Sequence, residues 1–396
     1  MKRLLSFVLI ATFLFTPAAN SAPKKISVKA MQLVTTVGIP DEVSGVVASG
    51  KSLIVFGTKA AKAYARAVDT TGKDLWNLSL DQSPASIATA AVVDSAGDIW
   101  IAGASPLALG LIAPSPAATP VNPDNAATPP TTAVGNLQAV TLWKVTAAGV
   151  LASTNTLPTS SVVFPTAISV DRNGASIVGI IGTEKGSAGF FVSADRAGLF
   201  GKLLQIGSVS TTADAVVRHT DGSFTVVGSS SETLAGKKVA GITDGVLIKI
   251  SKALKITSVI RSSAVKGKRI WNSASSTLLL GGEVVAAGKT ESAVTKFTSS
   301  FAPTWTYRFP STGPAITVGS TYAAFISTGA TAQLNWKPKV ATPLLLTFNA
   351  KGTVVAADSG PVGQKELLGA MLSKELGLLV VTSSADTVSI FTLIPR

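Results

Sequence analysis

One pattern recurs along most of this chain: an apolar strand, a tight turn, and a second apolar strand ending in a small residue. It runs Val43–Ala48, Ser49-Gly50-Lys51, Ser52–Gly57. It returns as Ala90–Val93, Asp94-Ser95-Ala96-Gly97, Asp98–Gly103, and as Thr166–Val170, Asp171-Arg172-Asn173-Gly174, Ala175–Gly182. The fourth copy is Ala215–His219, Thr220-Asp221-Gly222, Ser223–Gly228. Weaker copies are Thr277–Leu280 turning at Gly281-Gly282-Glu283 into Val284–Gly288, then Ala315–Val318 into Thr321–Ser327, and Leu367–Leu372 into Gly377–Thr382. Asn-Gly and Asp-Gly pairs accept the positive φ of hairpin turns, so apolar runs flanking them read as hairpins.

A strand, a short turn and another strand follow each hairpin. Examples are Ala63–Val68 to Lys73–Leu80, Ala139–Val145 to Val150–Leu157, and Leu344–Phe348 to Thr353–Asp358. Each unit is thus four antiparallel strands, A to D, over ~45–50 residues, the content of a propeller blade. The expected fold is all-β: a seven-bladed β-propeller. A stack of hairpins in an open sandwich is the structural alternative, but it does not easily account for seven copies of one unit. The seventh unit stops at Thr387–Leu393, after strand C, while Ile26–Val37 precedes the first unit unpartnered. An open ring would expose sheet edges. The last blade is therefore expected to be closed by the N-terminal strand.

Residues 1–22 read as a signal peptide. Lys2 and Arg3 precede an apolar stretch, Leu4 to Phe15, that is too short to span a bilayer, and small residues follow to Ala22. Cleavage near Ser21 or Ala22 would give an extracellular or periplasmic protein, with residues 23–396 as a single propeller domain. No later segment is apolar enough to span a membrane. A proline-, alanine- and threonine-rich insert at 105–135 interrupts the second unit between strands B and C. Proline cannot donate to a sheet ladder, so it reads as a loop.

Charged residues are 14% of the chain, against about 25% in typical soluble proteins. Low charge with abundant Val, Ala, Leu and Ile suits strands buried on both faces. The net charge is +13, but Lys and Arg never exceed two in a row. Nucleic acid is not an expected partner; weak attraction to anionic surfaces is. The partner is expected to be a protein or an envelope polymer.

Ala67-Val68-Asp69-Thr70-Thr71-Gly72-Lys73-Asp74-Leu75-Trp76 resembles the repeat of the quinoprotein (PQQ-like) propellers, and Phe297 to Thr306 is a degraded relative. Asp94 to Gly103 is similar to short repeats of bacterial extracellular propellers. The resemblance implies a propeller whose tryptophans dock one blade on the next, a role carried to Trp76 and Trp305, and also to Trp100 and Trp143. The quinoprotein dehydrogenases add a calcium site and often a cysteine pair. This chain has no cysteine and no matching ligands, and no cofactor is expected.

No catalytic constellation is evident. His219 is the sole histidine and falls in a hairpin turn, where an exposed turn residue is expected. One histidine and no cysteine leave too few ligands for zinc or copper. Asp69, Asp94, Asp171 and Asp221 lie at turns without the spacing of a calcium loop and are expected to form Asx turns. Asp41, Glu42, Asp81, Asp214 and Glu366 fall where D–A connections would surround the channel mouth, and glycosidase chemistry needs two such carboxyl groups together.

These observations lead to an expectation of an exported, non-enzymatic binding or scaffolding propeller. The alternative is an exported hydrolase or lyase acting on a polysaccharide or other envelope substrate. The A–B and C–D turns are short, whereas long segments gather on the opposite face. They are 104–138, 229–244 and 328–343 between B and C, and 262–276 and 310–314 between D and A. Binding is expected there, through Lys268, Arg269, Trp271 and Trp336, with Asp41, Glu42, Asp81 and Asp214 on the same face.

Overall fold

A computed structural model describes residues 25–81, 85–107 and 136–393. The 1–22 leader and residues 108–135 of the insert lie outside the described residues. Two short strands, β1 (Val28–Ala30) and β2 (Gln32–Thr36), come first. The first blade is β3 (Val43–Ser49), β4 (Ser52–Lys59), β5 (Lys62–Val68) and β6 (Asp74–Ser79). The second is β7 (Ile87–Val93), β8 (Ile99–Ser105), β9 (Ala139–Val145) and β10 (Leu151–Pro158). The third is β11 (Val163–Asp171), β12 (Gly174–Thr183), β13 (Gly186–Ala194) and β14 (Leu204–Ile206). The fourth is β15 (Thr211–Arg218), β16 (Phe224–Ser230), β17 (Asp244–Ile250) and β18 (Ile256–Ser262). The fifth is β19 (Lys268–Ala274), β20 (Leu279–Ala286), β21 (Lys289–Phe297) and β22 (Pro303–Pro310). The sixth is β23 (Ile316–Val318), β24 (Tyr322–Ser327), β25 (Thr342–Phe348) and β26 (Val354–Ser359). The last is β27 (Glu366–Ser373), β28 (Gly377–Ser383) and β29 (Val388–Thr392), completed by β2.

The chain is therefore a seven-bladed, all-β propeller of four-stranded antiparallel blades. β2 pairs antiparallel with β29, Leu33 opposite Phe391 and Thr36 opposite Ser389, so the N-terminal strand closes the last blade as expected. The same segment does more. β1 adds a fifth, parallel strand to the sixth blade, Val28 opposite Ala357, and the Met31 amide donates to the Ser359 carbonyl at 2.8 Å. Residues 28–36 thus straddle two blades.

Strand composition follows position. The middle strands are covered by blades on both sides: β8, IWIAGAS, is buried at every residue. The outer strands face solvent on one side and alternate, as in β10, LASTNTLP. The core is a ring of apolar clusters, one at each blade–blade junction. Ile54, Phe56 and Ala65 of the first blade meet Ile101 and Trp143 of the second, and Val46 and Leu53 meet Leu379 and Ile390 across the closure.

The fifth blade departs from the expected register. The hairpin turn lies at 275–278, not at Gly281-Gly282, and the segment 268–274 is strand A rather than a loop. Leu278 takes the positive φ, 59°, and the Leu279 amide donates to Ser275 Oγ at 3.1 Å. Gly281 and Gly282 are in-strand glycines instead. A Cβ on Gly282 would lie 2.0 Å from the Ile270 carbonyl oxygen, so close backbone approach rather than turning requires glycine there.

Candidate functional site

In six blades the innermost strand carries a bulge at the same level. Register slips past Ser44, Thr89, Thr166, Asp214, Asn272 and Leu368. A bulge leaves one residue unpaired and re-aims its side chain. All six bulged residues line one cavity of about 500 Å³, the central channel between the inner strands. β23 starts at Ile316, beyond the corresponding level, and supplies no bulge.

Five of the six bulges sit against a glycine of the neighbouring strand; at Leu368 the corresponding residue is Thr382. Strand B of five blades carries a glycine beneath them: Gly57, Gly103, Gly179, Gly228 and Gly282. A Cβ there would lie 1.9 to 2.3 Å from the carbonyl oxygen two residues before the bulged one, at Glu42, Ile87, Phe164, Thr212 and Ile270. At Gly57, Gly103 and Gly228 the recurring small residue at the end of strand B was the available signal for this ring, whereas Gly179 lay inside a strand and Gly282 looked like a turn.

Among the described residues lining the channel, Asp214 is the sole ionisable one. Burial pushes its carboxyl up to about 6, against the opposing hydrogen bond from Thr212. Thr212 Oγ1 donates to Asp214 Oδ2 at 2.6 Å and accepts from the Ser229 amide at 3.1 Å. The carboxyl is thus anchored by one oxygen to a hydroxyl that its own blade holds. On the adjoining blades, Thr166 Oγ1 donates to the Ala213 carbonyl at 2.5 Å. Asn272 Oδ1 is buried without a hydrogen-bond partner.

The other expected site residues do not converge here. Glu42 pairs with Lys59 at 3.3 Å in a separate groove. Glu366 lines a hollow with Thr312 and Lys365. Asp41 is exposed, and the Asp81 carbonyl accepts from Ser79 Oγ at 3.0 Å. Lys268 is exposed at the start of β19. Trp271 and Arg269, read from sequence as loop residues, lie in β19 and are 0% and 6% exposed. Arg269 stacks on the Trp271 ring, 4.0 Å from its centroid, and donates to Thr295 Oγ1. Both were misplaced because the fifth hairpin was read one strand too late. Trp336 lies between β24 and β25, half-buried against the sixth-blade core.

His219 is half-buried rather than exposed. Its Nε2 lies 2.7 Å from Thr225 Oγ1, and burial lowers its pKa. The turn aspartates form Asx turns: Asp69 accepts from the Thr71 amide at 2.8 Å, Asp94 from Ala96, Asp171 from Asn173 and Asp221 from Ser223. Asp94 also accepts from Trp100 Nε1. Among the described residues no group of three or more His, Cys, Asp or Glu side chains could hold a metal ion.

No family model matches the chain, and no curated protein matches it. Among solved structures it is similar to an ACO/RPE65 chimera at 9% identity and TM-score 0.39, covering 86% of this chain and 65% of that one. It is similar to a lignostilbene dioxygenase of Pseudomonas brassicacearum at 8% identity and TM-score 0.39, covering 89% and 72%. The chain spans about two thirds of the chimera's length. Neither is named as a quinoprotein, and a likeness this low carries no argument about chemistry. The expectation of a non-enzymatic exported scaffold is corrected: none of the comparisons lends it support. What stands is a seven-bladed β-propeller with one carboxyl in its channel.

Proposed function

We propose that the protein is an acid–base enzyme whose site is the mouth of the central channel, with Asp214 as the proton-transferring group. The observation that carries this is a lone carboxyl on a channel wall, titrating near 6 because it is buried. A general base works best with a pKa near the operating pH, and a perturbed carboxyl in a cavity marks a candidate site. The cavity, about 500 Å³, suits a small molecule rather than a polymer chain. One carboxyl on the wall does not supply the pair that glycosidases use. The leader reading places this chemistry outside the cytoplasm. The packing of Trp76 against Gly149 and of Trp305 against Gly352 supports kinship with the quinoprotein type of repeat, at the level of blade docking.

The test is a comparison of wild type with Asp214→Asn, each incubated with a small-molecule extract of the source cells and followed by mass spectrometry. At least one compound should be consumed by the wild type and spared by the variant. Identical profiles would overturn the proposal.

A further inference from the structure

At the mouth of the channel, three threonine hydroxyls are already engaged as donors. Thr166 spends its hydroxyl proton on the Ala213 carbonyl, and Thr89 donates to the Ala102 carbonyl at 3.3 Å. Thr212 spends its proton on Asp214. Left without a hydrogen-bond donor are Asp214 Oδ1 and, on the adjacent blade at the same bulge level, the enclosed Asn272 Oδ1. A buried acceptor without a partner is costly, so a ligand bringing N–H or O–H groups gains by reaching it. Past this ring the wall turns apolar, with Val47, Ala91, Ile168 and Leu372.

We propose that the ligand of this channel is a small primary ammonium on an apolar body, its N–H groups on Asp214 Oδ1 and Asn272 Oδ1 and its body along the aliphatic wall. This rests on the channel being the active site. An organic cation fits better than a hard metal ion, which needs several carboxylates. An ammonium carries three donors and one charge, and the ring offers several acceptors and one carboxylate. A neutral alcohol satisfies fewer acceptors and leaves the buried carboxylate uncompensated. Bound in this way, the ammonium and the Asp214 carboxylate compensate each other's charge within the channel.

The experiment is calorimetric titration of the protein with n-hexylammonium, hexanol, hexanoate and calcium chloride near neutral pH. Hexylammonium should bind roughly tenfold or more tighter than hexanol, and hexanoate should not bind. Asp214→Asn should weaken hexylammonium by roughly tenfold or more, and Asn272→Leu by a smaller factor. Both variants are checked for retained folding by circular dichroism. The Asn272 variant keeps the test decisive should the Asp214 variant fail to fold. Hexanol binding as tightly as hexylammonium would overturn the ammonium assignment while leaving the channel site standing. Calcium binding in preference, hexylammonium binding indifferent to both substitutions, or no binding by any compound would also overturn it. The comparison of compounds consumed by wild type and Asp214→Asn decides the channel reading separately.

Discussion

The indole of Trp76, on the outer strand of the first blade, packs on Gly149 in the C–D turn of the second, so closely that a Cβ there would lie 2.5 Å from the ring. Its Nε1 donates to the Ala147 carbonyl of that turn at 3.3 Å. The contact recurs around the ring. Trp305 packs on Gly352, Asn155 on Gly198, and Thr35 of the closing strand on Gly72. An outer-strand side chain thus seats on the next blade's turn glycine at four junctions. The turn glycine is required twice over, by its positive φ, 81° at Gly149, and by its neighbour.

Gly149→Ala should therefore destabilise the protein by about 2–4 kcal/mol, combining αL strain with overpacking. Urea unfolding of Gly149→Ala, Trp76→Ala and the double variant should show that the glycine change costs less once the indole is gone.

Removing residues 25–37 should lower the melting temperature and promote aggregation. The deletion uncovers β29 as an edge and strips β26 of its fifth strand. Scanning calorimetry with light scattering checks this, and an unchanged melting curve would contradict the closure.

Gly228→Ala should cost more than about 2 kcal/mol, because the new Cβ meets backbone that cannot yield without undoing the bulge. It would lie 2.1 Å from the Thr212 carbonyl oxygen. Since the same bulge aims Asp214, the variant should also move the Asp214 titration towards the ordinary carboxylate range. Carboxyl-carbon NMR reads that midpoint.

Asp214 and Glu232 should act oppositely on stability against pH. Asp214 titrates at about 6 in the fold because of burial, against about 3.9 unfolded. The folded state binds the extra proton, so stability is fully present below about pH 4 and declines as pH rises through 6, by about 3 kcal/mol. Burial pulls Glu232 upward, but the amides of Val209, Ser208 and Ser210 and the Thr211 hydroxyl hold it at about 2. Its stabilising contribution is present above about pH 4 and lost as pH falls towards 2. Asp214→Asn should flatten the decline between pH 4 and 6 in denaturant titrations and leave the acid limb in place.

Trp271→Ala should cost about 3–5 kcal/mol, as expected for emptying a core site. The side chain is fully buried and meets Phe297 edge-on at 5.9 Å. Trp336→Ala, half-buried beside a loop, should cost less. Urea unfolding of both variants orders them.

The sequence by itself determined the unit, its number and its closure. Turn chemistry is local: Asp69 and Gly72, or Asn349 and Gly352, set a hairpin within four residues, and an uninterrupted apolar run such as Ile99–Ser105 requires cover on both faces. The ring then closes because β2 of the N-terminal segment pairs with β29 and covers its edge. The fifth blade marks where local signals mislead. Gly281-Gly282 looks like a turn, yet those glycines answer to the Ile270 and Ala315 carbonyls, while the true turn at Ser275–Leu278 has no glycine at all. Trp271 and Arg269 passed from loop to core for that reason alone. The candidate site was decided only by tertiary structure. Asp214 is one aspartate among several in sequence; its pKa and direction come from a bulge over Gly228 and from its place in a ring of inner strands. Ser44, Thr89, Thr166 and Asn272 are scattered over more than 200 residues. Only radial stacking brings them to one level, because the channel is a property of seven blades together and of no single repeat.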